Sequence, residues 1–321
     1  MSWVSRVAVV ATLATLSLAG ARQPVDRGQL PLSSLAVKVD GRWRTFWRSD
    51  EVLNPRGDIR IPGSLVWRQG QTGVSWTELE IAGSGEAWRT RVILLQVDPS
   101  RIRLTLANGA SPGGYEGTWT VASAPPEAVM ALNAGQFTGG AVWGWVVHDG
   151  VEYRPPQQGP LATAIIVDTA GRVRFESDSS VEALRRQDST DVVEAFQSYP
   201  VLLRNGEIPL ALSRPGPFID LSHRDARLAI GLMKDGSVLV ALTRFDALGD
   251  ALGTVPVGLT VPEMSGLMAM AGVSDAVLLD GGISAQLMVR DSIGGRKMWK
   301  GLRRVPLGFY GVISTSAQSS R

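Results

Sequence analysis

Four tight-turn dipeptides constrain the fold of this chain more than any other feature. Apolar or β-branched runs flank each of them, and the four are Asp149-Gly150, Ala170-Gly171, Asn205-Gly206 and Asp235-Gly236. Such pairs suit the short loops that join neighbouring antiparallel strands. The sequence therefore predicts a fold with much antiparallel sheet.

Helical patterns are fewer. The run Thr260-Val261-Pro262-Glu263 has the form of a capping box with proline in the first turn, and it predicts a helix from Thr260 to Ala271. A second helix is predicted from Asp191 to Ser198. Because strands outnumber helices and do not alternate regularly with them, we predict an α+β fold, mostly antiparallel sheet with a few packed helices.

The N-terminus has the pattern of a secretory signal. Arg6 precedes an uncharged apolar run, 7–18, which ends in Ala19-Gly20-Ala21. We predict a signal peptide over 1–21, cleavage after Ala21 and export to the periplasm or the medium. The run is shorter than the roughly 20 residues of a membrane-spanning helix, so no membrane span is expected after cleavage.

Composition excludes several classes of site. The chain has no cysteine, which rules out disulfides, thiol nucleophiles and zinc–thiolate centres. Lysine and arginine number 32 against 30 acidic residues, so no basic surface for nucleic acid is expected. Apolar residues make up 44% of the chain, as in an ordinary folded protein.

The chain divides into an irregular part and a regular one. Residues 22–75 contain scattered prolines and tryptophans, and we predict an N-terminal extension with short strands there. From Trp76 the pattern becomes regular, and we predict a main domain over 76–313. The small polar tail, 314–321, is expected to be disordered.

One junction has the form of a ligand site. The apolar run Ala276–Leu279 ends abruptly in Asp280, Gly281 and Gly282, followed after Ile283 by the hydroxyl of Ser284. Paired glycines allow positive φ and close approach of a ligand to the backbone. An Asp-Gly turn that only caps the next segment is the other reading of the same residues.

Three further segments end apolar runs with polar or glycine residues. In chain order the four segments are Ala131–Phe137, Tyr199–Gly206, Arg227–Gly231 and Leu279–Ser284. Together they resemble the Asn-small-Gly-Phe-Phe, Gly-Pro-x-Leu-Val-x-x-Gly, Arg-Thr-Ala-Ile-Gly and Leu-Asp-Gly-Gly-Gly-Ser segments of the phosphodiester glycosidase family. The chain departs from them at Gln136, Leu228 and Ile283.

The resemblance implies a hydrolase that cleaves a sugar from a sugar 1-phosphodiester. It implies Asp280, Arg227 and Asn133 as catalytic residues. Arg227 would bind phosphate, because a guanidinium matches phosphate oxygens in a bidentate geometry. Asp280 would act at the anomeric carbon by stabilising charge, attacking it or orienting water, and these three roles stay open. Asn133 would bind sugar hydroxyls or a cation.

A second group of residues is expected to bind substrate, partly through a backbone nest for an anion at the two glycines. The group consists of Gly135, Gly281, Gly282, Ser284, His223 and Trp145. Trp143 and Trp145 alternate, which places both rings on one strand face for sugar stacking or for core packing. No metal ligands are assigned. An oxygen-ligated Ca²⁺ or Mg²⁺ on Asp280 is left open.

Two functions remain after these observations. The first is an exported hydrolase acting on a glycosyl phosphodiester or a related envelope polysaccharide linkage. The alternative is a non-catalytic carbohydrate- or envelope-polymer-binding protein on the same fold, in which Gln136, Leu228 and Ile283 record a loss of activity.

Overall fold

Antiparallel pairing joins the strands of the chain. The computed structural model describes residues 33–49, 65–108, 117–138, 141–159, 161–186, 191–213, 220–246, 255 and 257–314. The predicted signal peptide and the tail beyond Ser314 lie outside these residues. Within them, every strand pair is antiparallel, as the turn dipeptides predict.

The described residues contain 21 strands and two α-helices. The first eleven strands are β1 Ser34–Val39, β2 Arg42–Arg48, β3 Arg68–Gln69, β4 Val74–Gly83, β5 Thr90–Val97, β6 Ile102–Asn108, β7 Met130–Asn133, β8 Phe137–Thr138, β9 Ala141–Val142, β10 Val146–His148 and β11 Val151–Arg154. The remaining elements are β12 Thr163–Asp168, β13 Val173–Glu176, α1 Asp178–Arg186, β14 Val192–Ser198, β15 Val201–Leu203, β16 Leu228–Met233, β17 Val238–Phe245, α2 Val261–Met270, β18 Val273–Leu279, β19 Leu287–Arg290, β20 Arg296–Trp299 and β21 Leu307–Ile313.

Three sheets carry the fold. The first has nine strands in the order β15-β18-β16-β17-β5-β4-β1-β2, with β3 added beside β4. The second has the order β11-β10-β14-β12-β13 and the third β20-β19-β7-β21-β6, while β8 and β9 form a separate ribbon. The strands β1 and β2, within the segment predicted as an extension, therefore continue the first sheet.

The sheets enclose a shared apolar core. Phe196 of the second sheet meets Phe309 of the third with ring centroids 5.4 Å apart, and Trp76 of the first meets Trp299 of the third at 5.6 Å. These edge-on aromatic contacts bury large apolar areas. The core therefore packs the three sheets against one another.

Helix content is lower than the sequence indicates. The predicted helix over Thr260–Ala271 is confirmed as α2, with the Thr260 and Glu263 capping box formed. The predicted helix at Asp191–Ser198 is wrong, because Val192–Ser198 is strand β14, hydrogen-bonded to β10 and β12. Among the described residues only α2 is packed along its whole length, whereas α1 buries only Val181. None of the described helices is long and apolar enough to cross a bilayer.

Candidate active site

Strand register brings Arg227 and Asp280 to one edge of the first sheet. Leu228 at the start of β16 pairs with Leu279 at the end of β18. In an antiparallel pair the residue before one strand lies beside the residue after the other. Two positions 53 residues apart in the chain are therefore neighbours (280 − 227 = 53).

Asn133 holds the loop that follows Asp280. It ends β7 in the third sheet and is fully buried. Its Nδ2 donates to the Asp280 carbonyl at 2.9 Å, and its Oδ1 accepts from the Gln286 backbone N–H at 3.0 Å. The Asp280 N–H in turn donates to the Gly135 carbonyl at 2.9 Å. Asn133 and Gly135 thus position Asp280 through its backbone.

We expect Asn133→Ala to lower the unfolding temperature and the activity together. The change leaves the Asp280 carbonyl and the Gln286 N–H unpaired in a buried place, at a cost of about 1–3 kcal/mol for each unsatisfied group. Asn133→Asp keeps the acceptor for Gln286 but places a second acceptor against the Asp280 carbonyl and buries a charge, so it should be at least as unstable as the alanine variant. Thermal unfolding and activity toward the expected substrate, a sugar 1-phosphodiester, are measured on both variants. Loss of activity at an unchanged unfolding temperature would instead indicate a direct contact with ligand.

The two glycines after Asp280 are required by close packing. A Cβ on Gly281 would lie 2.5 Å from the Ala226 carbonyl oxygen, and one on Gly282 would lie 2.9 Å from Asp225 Oδ2. Gly282 also has a positive φ of 56°. Its N–H donates to the Ala226 carbonyl at 2.8 Å and is therefore not available to an anion, contrary to the expected nest.

Ile283 fits the loop without backbone strain. Positive φ falls on Gly282, while Ile283 lies in the short 3-10 turn Gly282–Ser284 with an ordinary φ. Its side chain is 44% exposed. The isoleucine therefore replaces a signature glycine at a position where the backbone does not need one.

Two carboxyl groups face this loop. Burial raises the pKa of Asp280, and the negative charge of Asp225 raises it further, against a hydrogen bond from Ser284 and the positive charge of Arg303. Burial also raises the pKa of Asp225, against the charge of Arg227, the Ala226 N–H and His223. Each group is thus held in an environment that opposes its ionisation.

Arg227 is a buried residue close to the Asp225 carboxyl group and is 8% exposed. Its Nε donates to the Leu259 carbonyl at 2.9 Å and its Nη2 to the His223 carbonyl at 2.6 Å. Burial lowers its pKa, while Asp225, Glu263 and Asp220 oppose that shift. Its Nη1 makes no hydrogen bond to the described residues, so this nitrogen is the one available to a ligand.

The capped helix α2 anchors the segment that carries these groups. Glu263 of the capping box is fully buried, and both its oxygens accept from Arg224 at 2.7 Å. Arg224 directly precedes Asp225. The sequence signal for the start of a helix therefore marks a residue that also fixes the site.

Two exposed groups complete the cluster. His223 has its Nε2 3.7 Å from Asp225 Oδ2, and its side chain is 61% exposed. Arg303 is exposed, and its charge lowers the pKa of Asp280. Of the nine residues expected in the site, the structure brings together Asp280, Arg227, Asn133, Gly135, Gly281, Gly282, Ser284 and His223.

Trp145 lies elsewhere. It is 3% exposed, packs in a cluster of the second sheet, and donates from Nε1 to Glu152 at 2.7 Å. Trp143 and Trp145 do not share a strand face, because Gly144, with a φ of 81°, interrupts the chain between β9 and β10. The expectation of a two-tryptophan strand face is wrong, because the positive φ of Gly144 ends the extended backbone that such a face requires.

Asp225 and Arg303 are the residues that the sequence reasoning missed. Asp225 stands two residues before Arg227, which places it at the same edge, but no motif in the sequence marks it. Arg303 belongs to the basic run Arg303-Arg304, which has no signature of its own. Only the pairing of distant segments reveals it.

The departures from the family segments leave the cluster intact. Gln136 donates from Nε2 to the Tyr199 carbonyl at 2.9 Å. Leu228 is fully buried in the core. Neither side chain takes the place of Asp280, Asp225 or Arg227.

Potential metal ligands gather away from this cluster. Within the described part of the chain, the one group of three is His148, Asp149 and Glu194, with His148 Nδ1 2.9 Å from a Glu194 oxygen. Thr105 also donates to Glu194 at 2.7 Å, so this buried carboxylate has protein partners. Asp280 is not part of any such group among the described residues.

Comparison with known proteins places these residues in a family. The sequence profile of the phosphodiester glycosidases matches residues 126–310, more than half of the chain and all of the site residues named above. The chain belongs to the phosphodiester glycosidase family. No curated protein matches it in sequence.

One solved structure shares the fold at low identity, and two others are less similar. The zebrafish N-acetylglucosamine-1-phosphodiester α-N-acetylglucosaminidase catalytic domain, auto-inhibited by its pro-peptide, is 17% identical with a TM-score of 0.56, covering 78% of this chain and 88% of that one. A hypothetical protein from Synechocystis is 13% identical with a TM-score of 0.47, covering 75% and 62%. A Burkholderia pseudomallei protein described as exported is 18% identical with a TM-score of 0.42, covering 73% and 77%.

Proposed function

We propose that the chain is an exported hydrolase, periplasmic or extracellular, that cleaves a sugar from a glycosyl 1-phosphodiester or a related cell-envelope glycan linkage. One observation carries the proposal: two carboxyl groups with raised pKa values, Asp225 and Asp280, meet at a glycine loop beside Arg227. Family membership supplies the reaction class. Paired carboxyl groups are the usual equipment for breaking a glycosidic bond.

The chemistry follows from the leaving group. Water attacks the anomeric carbon, the bond from that carbon to the phosphate oxygen breaks, and the electron pair leaves on the phosphate. The products are a free sugar and a phosphomonoester. Because phosphate leaves readily, strong acid assistance matters less than stabilising charge on both sides of the bond.

The cluster contains a group for each charge that develops when the bond breaks, positive at the anomeric carbon and negative at the phosphate. Asp280, as a carboxylate, faces the positive charge that develops at the anomeric carbon, and Asp225 accepts the proton of the attacking water. Arg227 donates from Nη1 to a phosphate oxygen, and Arg303 adds a second, exposed cation. His223 adjusts the charge of Asp225 from the solvent side.

The pH dependence follows from the same arrangement. Asp280 must be ionised to act, and burial raises its pKa. Activity should therefore rise with pH through a value above the ordinary range of an aspartic acid.

We expect Arg303→Gln to lower kcat/KM for a sugar 1-phosphodiester by about 10-fold or more. The change removes one charged hydrogen bond or ion pair to phosphate, a contribution of about 1.5–3 kcal/mol. Stability should stay within about 0.5 kcal/mol, because the side chain is exposed. Protein lacking residues 1–21 is assayed for release of reducing sugar.

Arg101→Gln is the matched control, since Arg101 is 60% exposed and pairs with Asp98 at the far end of β5. Equal loss in both variants would contradict a specific role for Arg303. Saturable binding of the phosphodiester without turnover by the wild type would establish the alternative, a binding protein on the same fold. Repeating the assay in EDTA decides whether Ca²⁺ or Mg²⁺ takes part.

A further inference from the structure

Two apolar side chains stand exposed at the edge of the candidate active site. Ile283 is 44% exposed and Leu302 is 65% exposed. They belong to segments that are joined directly, because the Ile283 carbonyl accepts from the N–H groups of Leu302 at 2.8 Å and Arg303 at 3.0 Å. We call this pair, Ile283 and Leu302, the apolar rim.

The rim is held rigidly. A Cβ on Gly301 would lie 2.9 Å from the Ile283 carbonyl oxygen, so the two segments touch through their backbones. Beneath them Arg244, 3% exposed, donates from Nη2 to the carbonyls of Ala285 at 2.6 Å and Trp299 at 3.2 Å. Burial lowers the pKa of Arg244 to about 10, so it stays charged at neutral pH. The backbone that carries the two exposed apolar side chains is thus fixed by several hydrogen bonds.

Exposed basic residues are close neighbours of Leu302 in the chain. Lys300, Arg303 and Arg304 are all exposed, and the charge of Arg303 reaches Asp280. Leu302 lies between the first and second of these cations in the chain. The anionic Asp280, the exposed cations and the two apolar side chains therefore belong to segments that are directly joined.

These three kinds of group, an acid, cations and apolar side chains, match a molecule with a sugar, a phosphate and an apolar chain. We infer that the substrate is a glycosyl 1-phosphodiester whose second alcohol carries a long apolar chain, with that chain lying on Ile283 and Leu302. The inference rests on the proposed function. Ile283 supports it independently, because the signature glycine has no side chain to offer at this position, whereas isoleucine adds apolar surface next to Asp280 at no backbone cost.

The test is a series of glycosyl 1-phosphodiesters with methyl, butyl and octyl second alcohols, kept below their micellar concentrations. Burial of one methylene is worth a factor of up to about 4, so the octyl substrate should exceed the methyl one by at least about 10-fold in kcat/KM. The double variant Ile283→Ser, Leu302→Ser should lose this preference. Ile293→Ser is the control, because Ile293 is 92% exposed in the turn after β19.

A binding measurement separates this inference from the proposed function. Octyl phosphate and inorganic phosphate are titrated into each variant by calorimetry, without any need for turnover. Tighter binding of octyl phosphate by the wild type, lost in the double variant, supports the rim even if no substrate is cleaved. Equal binding of the two, or a preference that survives in the double variant, overturns it.

Discussion

Asp280→Asn is expected to abolish activity and to make the protein more stable at neutral pH. Loss of a carboxylate that acts directly in a glycosyl transfer should lower kcat/KM by about 100-fold to 10,000-fold. Burial raises the pKa of Asp280, so the ionised carboxylate costs the folded state free energy. Asparagine removes that charge and still accepts the hydrogen bond from Ser284. The unfolding temperature should rise by roughly 2 °C or more at pH 7.

The sign of the pH dependence makes this prediction specific. A group whose pKa is raised on folding stabilises the protein at low pH, and this contribution disappears as the pH rises through the raised value. The gain from Asp280→Asn should therefore be absent near pH 3 and appear as the pH increases. Thermal unfolding from pH 3 to 8 measures it.

Asp275→Asn is the control on the same strand. Asp275 lies in β18, where it accepts from the Asn205 N–H at 3.1 Å, far from the glycine loop. The Asp275→Asn variant should retain the activity of the wild type. Wild-type activity in Asp280→Asn, or a stability gain that is the same at every pH, would contradict the assignment of Asp280.

Gly281→Ala is the second change with a large expected effect. The new Cβ would lie 2.5 Å from the Ala226 carbonyl oxygen, a backbone atom that already accepts from Gly282. The φ of Gly281 is −99°, so the damage is steric and not conformational. The loop must move away from Ala226, which precedes β16, and a displacement of about 1 Å at a reacting group costs about 100-fold in rate. Overpacking should also cost about 1–3 kcal/mol of stability.

Gly159→Ala is the matched substitution, because its φ is also not positive and its nearest contact would be an ordinary 3.6 Å to Trp143. It should leave kcat/KM within about 2-fold. Thermal unfolding and hydrolysis of both variants test the comparison. Full activity in Gly281→Ala would show that the loop tolerates a shift and that close packing against Ala226 is not needed.

Local signals succeeded where the residues that define an element are close together in the chain. The two residues of the capping box, Thr260 and Glu263, are three positions apart, and the helix that they predict is α2. The hairpin dipeptides Asp149-Gly150 and Asp235-Gly236 connect β10 to β11 and β16 to β17. The segment 192–198 could not be assigned from local signals, because it forms a strand through its buried position between β10 and β12.

The residues of the candidate active site also divide into those that the sequence reveals and those that only the fold reveals. Asp280, Gly281 and Gly282 could be recognised because a strand end, a carboxylate and two glycines are consecutive. Asp225 and Arg303 could not be assigned from the chain alone, because their effect on Asp280 acts across 55 and 23 positions (280 − 225 = 55; 303 − 280 = 23). The prediction for Trp145 was wrong for a local reason, because Gly144 breaks the alternation of Trp143 and Trp145 that suggested a shared face.

The sequence by itself determined the antiparallel character, the capped helix and the family segments, because turns, caps and motifs depend on neighbouring residues. Only the tertiary structure decided which distant groups act together. Arg227 meets Asp280 through the pairing of β16 with β18, Asn133 reaches the loop from another sheet, and the apolar rim forms where Ile283 meets Leu302. Burial, which raises the pKa of Asp280, is a property of that packing and of no single segment.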